Sequence, residues 1–208
     1  MVKELGLLGD GHQADEAEEF SWPSVVVFRA VSPQFLIGHR ESLIDINTSQ
    51  KDLLRVPVLA AVGAPALRRQ LVDAWAGRDF VSVVADGGWI SPTASIGVGA
   101  LIAPLAVVST KTKLGNHVIV NIGASVSHDT EIGNFVTLSP GSRVAGNCQI
   151  GDGVFIGIGA VVTDGISIAS GTVVGAGAVV VDNIFLPGVY AGVPAKKLRD
   201  QEGWLSAI

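Results

Sequence analysis

An aliphatic residue returns at every sixth position between Ile90 and Leu186, and this period constrains the fold more than any other feature. The seventeen members of the series are Ile90, Ile96, Ile102, Val108, Leu114, Val120, Val126, Ile132, Leu138, Val144, Ile150, Ile156, Val162, Ile168, Val174, Val180 and Leu186. The residue after each member is often small, as at Gly97, Gly115 and Gly133. A period of six fits neither a helix nor a simple strand alternation, and it predicts a β-solenoid built from hexapeptides.

The period also predicts which residues stack on one another. One coil of a solenoid cannot bury its own apolar face, so each aliphatic side chain must pack on its equivalent in the next coil. If three hexapeptides form a triangular coil, residues eighteen positions apart lie above one another. Small residues are then expected at the corners, where larger side chains would clash.

Composition excludes several other classes of protein. The net charge is −5 over 208 residues and the isoelectric point is near 5.3, which argues against nucleic acid as a partner. The uncharged stretch 87–110 carries Pro92 and Pro104 and keeps the six-residue period, so we predict no membrane span there. The single cysteine, Cys148, excludes an intramolecular disulfide, and we predict a buried, inert side chain and a cytoplasmic protein.

The first 85 residues have a different pattern. Strands are expected at 5–9, 24–31, 43–47, 56–62 and 80–84, and helices at 14–20, at 49–54 and from Pro65 onward, with Arg68 on the polar side of that last helix. This alternation predicts a small Rossmann-like α/β domain at 1–85. A β-helix at 86–188 and a tail at 189–208, with a short helix around Trp204, complete the expected organisation.

His128 is the sharpest candidate for chemistry. It falls at a predicted corner, where a side chain points away from the core, and Asp129 follows it. A neighbouring carboxylate can hold the imidazole in one tautomer and make it a better general base. Gly146 lies one coil above and has no side chain to block an incoming group, so its N–H is a candidate donor to an oxyanion. A solvated surface histidine is the plain alternative. His39 and His117 are expected to be exposed and without a role.

The chain resembles the hexapeptide-repeat acyltransferases of the sialic acid O-acetyltransferase and nucleotide-amino-sugar N-acetyltransferase family. The motifs that carry the resemblance are Gly11-His12, Asn121-Ile122-Gly123-Ala124, His128-Asp129, Ala145-Gly146-Asn147 and Gly192-Val193-Pro194-Ala195-Lys196. The resemblance implies a left-handed parallel β-helix, a homotrimer, and transfer of an acetyl group from acetyl-CoA to an amine or hydroxyl of a sugar, free or nucleotide-linked.

The resemblance also implies roles for individual residues. His128 would be the general base and Asp129 would orient it. The positions that match contacts to CoA are Gly146, Ile158 and Ala176. Those that match contacts to the acceptor are Gly11, His12, Asn121 and Thr137. No metal is implied.

The first domain departs from the family's pattern. Leu8 stands in place of an early glycine, Arg29 follows Phe28 where relatives have an acidic pair, and Gly63-Ala64-Pro65 stands before the last helix in place of Gly-Asp-Asn. Thr137 stands where many relatives have a second histidine. The identity of the acceptor, and whether nitrogen or oxygen is acetylated, are left open by the sequence.

Three alternatives compete with the acetyltransferase hypothesis. A carbonic-anhydrase-like metalloenzyme needs three converging histidines, whereas the solenoid holds two, His117 and His128. A dinucleotide-binding protein would use the turn at 9–14, which fits G-x-G-x-x-A, but 85 residues are too few for the paired halves that a dinucleotide spans. The third alternative is an assembly scaffold without activity.

Overall fold

The computed structural model describes residues 3–36 and 42–207, so His39 lies outside the described residues. The N-terminal elements are β1 (Glu4–Leu8), α1 (His12–Phe20), β2 (Val25–Val31), a 3-10 turn (Pro33–Phe35), β3 (Leu43–Asp45), a 3-10 turn (Leu53–Arg55), β4 (Val58–Ala60) and α2 (Pro65–Ala74). The four strands form a parallel sheet in the order β3-β2-β1-β4.

This sheet is covered on both faces, which is why its central strand reads as an almost continuous apolar run. One face packs against α2, through a cluster that includes Phe28, Leu71 and Trp75. The other face packs against α1 and against Leu101 and Ile119, which belong to the solenoid. The N-terminal region is therefore seated directly on the solenoid.

The solenoid follows the predicted period. Its strands are β5 (Val83–Val84), β6 (Trp89–Ile90), β7 (Ser95–Ile96), β8 (Leu101–Ile102), β9 (Val107–Val108), β10 (Lys113–Leu114), β11 (Ile119–Val120), β12 (Ser125–Val126), β13 (Glu131–Ile132), β14 (Thr137–Leu138), β15 (Arg143–Val144), β16 (Gln149–Ile150), β17 (Phe155–Ile156), β18 (Val161–Val162), β19 (Ser167–Ile168), β20 (Val173–Val174) and β21 (Val179–Val180). Partners within a sheet are parallel and lie eighteen residues apart, as in Leu114↔Ile132. The coil is therefore triangular, as predicted.

The three sheets make three faces of a prism. The first face is built from β5, β8, β11, β14, β17 and β20, the second from β6, β9, β12, β15, β18 and β21, and the third from β7, β10, β13, β16 and β19. We name each corner by a residue in its turns. The Asn121 corner joins the first face to the second, the His128 corner joins the second to the third, and the His117 corner joins the third to the first.

At Gly97 and Gly115, the glycine after the inward aliphatic residue is required by close contact between coils. A Cβ on Gly115 would lie 2.7 Å from the backbone nitrogen of Asn134, and one on Gly97 would lie 2.5 Å from the carbonyl oxygen of Gly115. Neither contact is possible for a real side chain. The predicted clash is confirmed.

The aliphatic series that begins at Ile90 points inward and is buried along most of its length, but the prediction of Leu186 as its last member is wrong. Leu186 is 66% exposed, whereas Ile184 is buried and bridges Ile168. The stack therefore ends two residues earlier, because the chain leaves the six-residue path after β21.

Several local predictions also need correction. The strand predicted at 80–84 is split, since Phe80 bridges Val58 of the N-terminal sheet while Val83–Val84 pairs with Leu101–Ile102 of the solenoid. The helix predicted at 49–54 is only the short 3-10 turn Leu53–Arg55.

The predicted helix near Trp204 is absent from the described tail, whose strands are β22 (Val189–Ala191) and β23 (Lys196–Arg199). They form an antiparallel pair that extends the first face beyond β20. Trp204 packs against Phe135 with ring centroids 5.9 Å apart, and Arg69 lies over its ring.

Arg68 and His117 were expected on the surface, and both are buried. Arg68 leaves α2 and donates hydrogen bonds to the carbonyl oxygens of His117, Phe135 and Val136 in the solenoid. The His117 ring stacks on Phe135 and meets Phe80 edge to face. Docking of α2 on the solenoid buries both side chains.

No helix among the described residues is long and apolar enough to cross a membrane.

Candidate active site

His128 lies in the turn between β12 and β13, at the His128 corner, with its side chain 54% exposed. Its Nδ1 is 3.1 Å from Oδ2 of Asp129. Asp129 has φ 54°, in the left-handed region that aspartate tolerates better than most residues, and Lys111 Nζ lies 3.8 Å from its Oδ1. Because the carboxylate engages Nδ1, Nε2 is the ring nitrogen that can take a proton from a substrate.

Gly146 lies directly above the imidazole ring, as the ladder predicts. A Cβ on Gly146 would stand 2.5 Å from Cε1 and 2.8 Å from Nε2 of His128. The chain therefore needs glycine here to leave room for the ring. Within the described residues the Gly146 N–H has no backbone or side-chain acceptor, whereas the neighbouring Asn147 N–H donates to His128 O at 3.0 Å. A free N–H beside a candidate base is the arrangement that an oxyanion hole requires.

Asp164, one coil above Gly146, also faces this spot, and it was missed in the sequence. Its Oδ1 would lie 2.9 Å from the same Cβ on Gly146. Its side chain is held only loosely, with Asn147 Nδ2 at 3.4 Å from Oδ1. The eighteen-residue ladder contained the signal, since 128, 146 and 164 form one column.

Cys148 lies behind this corner and does not face it. Its side chain is buried, and its thiol lies within hydrogen-bonding distance of two carbonyl oxygens, those of Gly146 and Thr163. Burial raises the pKa of the Cys148 thiol. A thiol that is buried and protonated is a poor nucleophile, so Cys148 is not a candidate for chemistry at this corner.

The residues predicted near the acceptor gather at a different corner. Asn121 is buried in the turn after β11, and its Nδ2 donates to Oε1 of Gln13 at 3.1 Å. Gln13 lies in the first turn of α1, next to the exposed pair Gly11 and His12. Asn121 therefore joins the solenoid to the Gly11-His12 turn.

Thr137 is the exception among the predicted acceptor contacts. It is 2% exposed, its Oγ1 donates to Gly63 O at 2.7 Å, and it accepts from Arg68 Nη1 at 2.9 Å. The hydroxyl is therefore fully committed to the contact between α2 and the first face. Thr137 is a packing residue in this chain, because Arg68 docks where an acceptor contact was expected.

Ile158 and Ala176 are exposed and belong to the Asn121 corner. They stack one above the other, since Gly177 N–H donates to Ile158 O at 2.8 Å. Gly146, the third predicted CoA contact, lies at the His128 corner. The full width of the second face therefore separates the predicted CoA contacts within one chain.

A cavity of about 370 Å³ opens at the carboxyl ends of β1 and β2, lined by Gly9, Asp10, Gly11, Phe35 and apolar side chains of β2 and α2. Beside it lies Arg29, the residue that departs from the family's pattern. Arg29 is buried, and its guanidinium contacts Asp10 at 2.9 Å, Asp15 at 2.8 Å and Glu18. The cation thus ties the β1–α1 turn to β2.

Within residues 3–36 and 42–207, no three His, Cys, Asp or Glu side chains are grouped in a way that would hold a metal ion. His117 and His128 occupy different corners.

Comparisons with known proteins agree with this geometry. The family model of the bacterial transferase hexapeptide (six repeats) matches residues 147–182. The acetyltransferase domain of PglB from Neisseria gonorrhoeae FA1090 is 30% identical, with a TM-score of 0.81, over 94% of this chain and 100% of that chain. WeeI from Acinetobacter baumannii AYE is 25% identical, with a TM-score of 0.81, over 95% of this chain and 100% of that one.

A variant of perosamine N-acetyltransferase from Caulobacter crescentus, in complex with CoA and GDP-perosamine, is 26% identical, with a TM-score of 0.83, over 96% of this chain and 99% of that chain. No curated protein matches the sequence significantly. The chain belongs to the hexapeptide-repeat acetyltransferases that the sequence motifs indicated, and it is an acyltransferase by this membership.

Proposed function

We propose that this protein transfers the acetyl group of acetyl-CoA to an amino or hydroxyl group of a sugar, free or nucleotide-linked. The observation that carries the proposal is the His128–Asp129 pair beneath the free N–H of Gly146. Two relatives support the identity of the substrates. The PglB domain has been solved in complex with acetyl coenzyme A, and the perosamine N-acetyltransferase with CoA and GDP-perosamine.

The chemistry follows from the positions of three groups. Asp129 holds a proton on Nδ1 of His128, so Nε2 takes the proton of the acceptor as it attacks the thioester carbonyl. The Gly146 N–H stabilises the negative oxygen of the tetrahedral intermediate. When that intermediate collapses, the carbon–sulfur bond breaks and His128 returns its proton to the departing thiolate. No covalent bond to the protein is needed.

We infer that the active unit is a homotrimer of left-handed β-helices. The first face is covered by the N-terminal region, and the third carries polar side chains such as Lys113 and Glu131. The second face presents Trp89 and Val107, 49% and 37% exposed. Three copies packed through the second face would bring the His128 corner of one copy to the Asn121 corner of the next. Ile158 and Ala176 of a neighbour would then reach the CoA that Gly146 contacts.

We propose that residues 1–85 form a Rossmann-like acceptor-binding domain, that 86–188 form the acyltransferase domain and that 189–208 form a tail. The order β3-β2-β1 with parallel strands is that of a mononucleotide-binding half. Gly11, His12 and Asn121 would contact the acceptor, because the bond from Asn121 to Gln13 brings these three residues to one edge.

The test is a steady-state assay of CoA thiol release with glucosamine, GDP-perosamine and their hydroxyl counterparts glucose and GDP-rhamnose. His128→Ala is expected to lower kcat by about 10²- to 10⁴-fold, since a general base contributes a factor of that order. Gly146→Ala should lower it by about 10²- to 10³-fold, because its Cβ displaces the imidazole from the oxyanion donor.

The matched control is Thr110→Ala, one coil below His128 in the same column, which is expected to stay within a few-fold of wild type. Affinity for acetyl-CoA should change little in His128→Ala. Transfer that survives in that variant at an unchanged affinity for acetyl-CoA would show that His128 is not the base.

A further inference from the structure

The carboxylate of Asp164 and the imidazole of His128 both approach Gly146 from neighbouring coils. The point where a Gly146 Cβ would stand is 2.8 Å from Nε2 of His128 and 2.9 Å from Oδ1 of Asp164. The two atoms are therefore no farther apart than the sum of these distances, so a group that binds in front of Gly146 can lie close to both. We propose that Asp164 selects an amine over a hydroxyl as the acceptor. This proposal rests on the proposed function and specifies its substrate class.

The argument begins with the number of protons that the nucleophile carries. A neutral primary amine has two N–H bonds, so it can donate one to Nε2 of His128 and the other to Oδ1 of Asp164 at the same time. A hydroxyl has a single proton. When the hydroxyl donates that proton to the base, Asp164 is left without a donor. The lone pairs of the hydroxyl oxygen then face the carboxylate, which is unfavourable.

Charge leads to the same conclusion. Asp129 has Lys111 at 3.8 Å, and Asp182, which follows β21, has Lys196 at 3.9 Å. Asp164 forms no ion pair with any described side chain and meets only the amide of Asn147. A free carboxylate beside the base attracts an ammonium ion, the form in which many amines arrive, and disfavours the negative charge that develops on a hydroxyl oxygen.

The protons balance for an amine. The ammonium form binds beside Asp164 and loses one proton to solvent. The neutral amine then attacks the carbonyl carbon while His128 takes a second proton, and His128 passes that proton to the sulfur as the carbon–sulfur bond breaks. The products are the acetamide, CoA as a thiol and one proton released to solvent.

The experiment compares kcat/KM for glucosamine against glucose, and for GDP-perosamine against GDP-rhamnose, in wild type, Asp164→Asn and Asp164→Ala. We expect Asp164→Ala to lower the amine-to-hydroxyl ratio by about 10- to 100-fold, as for loss of a hydrogen bond to a charged group. Asp164→Asn should be intermediate, because it keeps an acceptor oxygen and loses the charge. The KM for the amine should rise while the KM for acetyl-CoA stays within a few-fold.

Asp182→Ala is the control, since it removes an exposed carboxylate that lies beyond β21 and pairs with Lys196, and its ratio should equal that of wild type. An unchanged ratio in Asp164→Ala would overturn the proposal. So would a raised KM for acetyl-CoA at a constant ratio, which would instead assign Asp164 to the amide groups of the donor.

Failure of the proposed function gives a different result. Calorimetry with CoA-loaded protein measures binding of the same four sugars without transfer. If wild type transfers acetyl to none of them but binds the amines more tightly, and Asp164→Ala loses that preference, the acceptor assignment stands and the reaction does not. If wild type neither binds nor acetylates any of the four, both proposals are contradicted.

Discussion

The solenoid and the N-terminal α/β region are stabilised in different ways. In the solenoid each coil packs on the one before it, and the core cluster from Ile102 to Ile184 contains none of the described residues of the N-terminal region. The N-terminal region has two core clusters, and the cluster around Leu5 and Leu59 includes Leu101 and Ile119 of the solenoid. The solenoid therefore contributes residues to the core of the N-terminal region, whereas the described residues of that region contribute none to the solenoid core.

The difference shows how a regular scaffold is given a specific partner. Repeated coils offer a uniform surface, so recognition depends on a few irregular side chains. Arg68 and Thr137 provide one such contact, and Asn121 and Gln13 provide a second. Both contacts lie on or beside the first face, which leaves the second face and the His128 corner open.

The largest effect is expected at Arg68, the cation that joins the two regions. Burial lowers its pKa to about 9, and it donates to carbonyl oxygens on both sides of the contact. Arg68→Met would leave several buried acceptors unpaired, at roughly 1–3 kcal/mol each, so we expect the free energy of unfolding to fall by at least about 3 kcal/mol. Urea denaturation measures it.

Arg69→Met is the control for that variant. Arg69 is half exposed and lies 3.5 Å from Asp73, so its loss should cost less than about 1 kcal/mol. Equal destabilisation by the two variants would mean that the buried guanidinium does not join the two regions.

Two core truncations test whether the N-terminal region depends on the solenoid for its stability while the solenoid does not depend on the N-terminal region. Ile156→Ala in the solenoid and Leu59→Ala in the sheet should each cost about 2–5 kcal/mol. Because the solenoid core does not depend on the N-terminal region, Leu59→Ala should speed amide hydrogen exchange only in the N-terminal region. Ile156→Ala should speed exchange in both. Faster exchange in the coils at 120–180 of Leu59→Ala would contradict this dependence.

The last effect concerns pH and His117, which lies at the contact. Burial, together with the positive charge of Arg68 and against the opposing effect of Asp73, lowers the His117 pKa from 6.5 to about 4. Between these values the unfolded chain binds a proton that the folded chain does not. The contribution of His117 to the free energy of unfolding is therefore fully present above about pH 6.5. It is lost as pH falls toward 4, with a slope of at most about 1.4 kcal/mol per pH unit.

His117→Asn should remove this pH dependence, and asparagine suits the left-handed φ of 56° at this position. Denaturation series at pH 7 to 4 measure the slope. His12→Asn, at a fully exposed histidine, is the control and should keep the wild-type slope. A slope in His117→Asn equal to that of wild type would mean that His117 binds protons equally in the folded and unfolded chains.

Much of the solenoid and of the His128 corner was predictable from the sequence. A side chain eighteen residues away is always the neighbour above, so the period alone placed His128 under Gly146. The same rule would have included Asp164 had it been carried one coil farther. It did not predict the end of the ladder, where Ile184 replaces Leu186, because the repeat stops there.

The sequence by itself determined the triangular coil, the inward ladder and the column that holds His128, because these depend on contacts at one fixed spacing. Only the tertiary structure decided which face of the prism is covered, that Arg68 and His117 are buried there, and that Thr137 is used for packing. These outcomes depend on how a helix from the N-terminal region docks on a distant coil. No local pattern contains that information, since an arginine on the surface of a helix reads the same whether that surface meets water or protein.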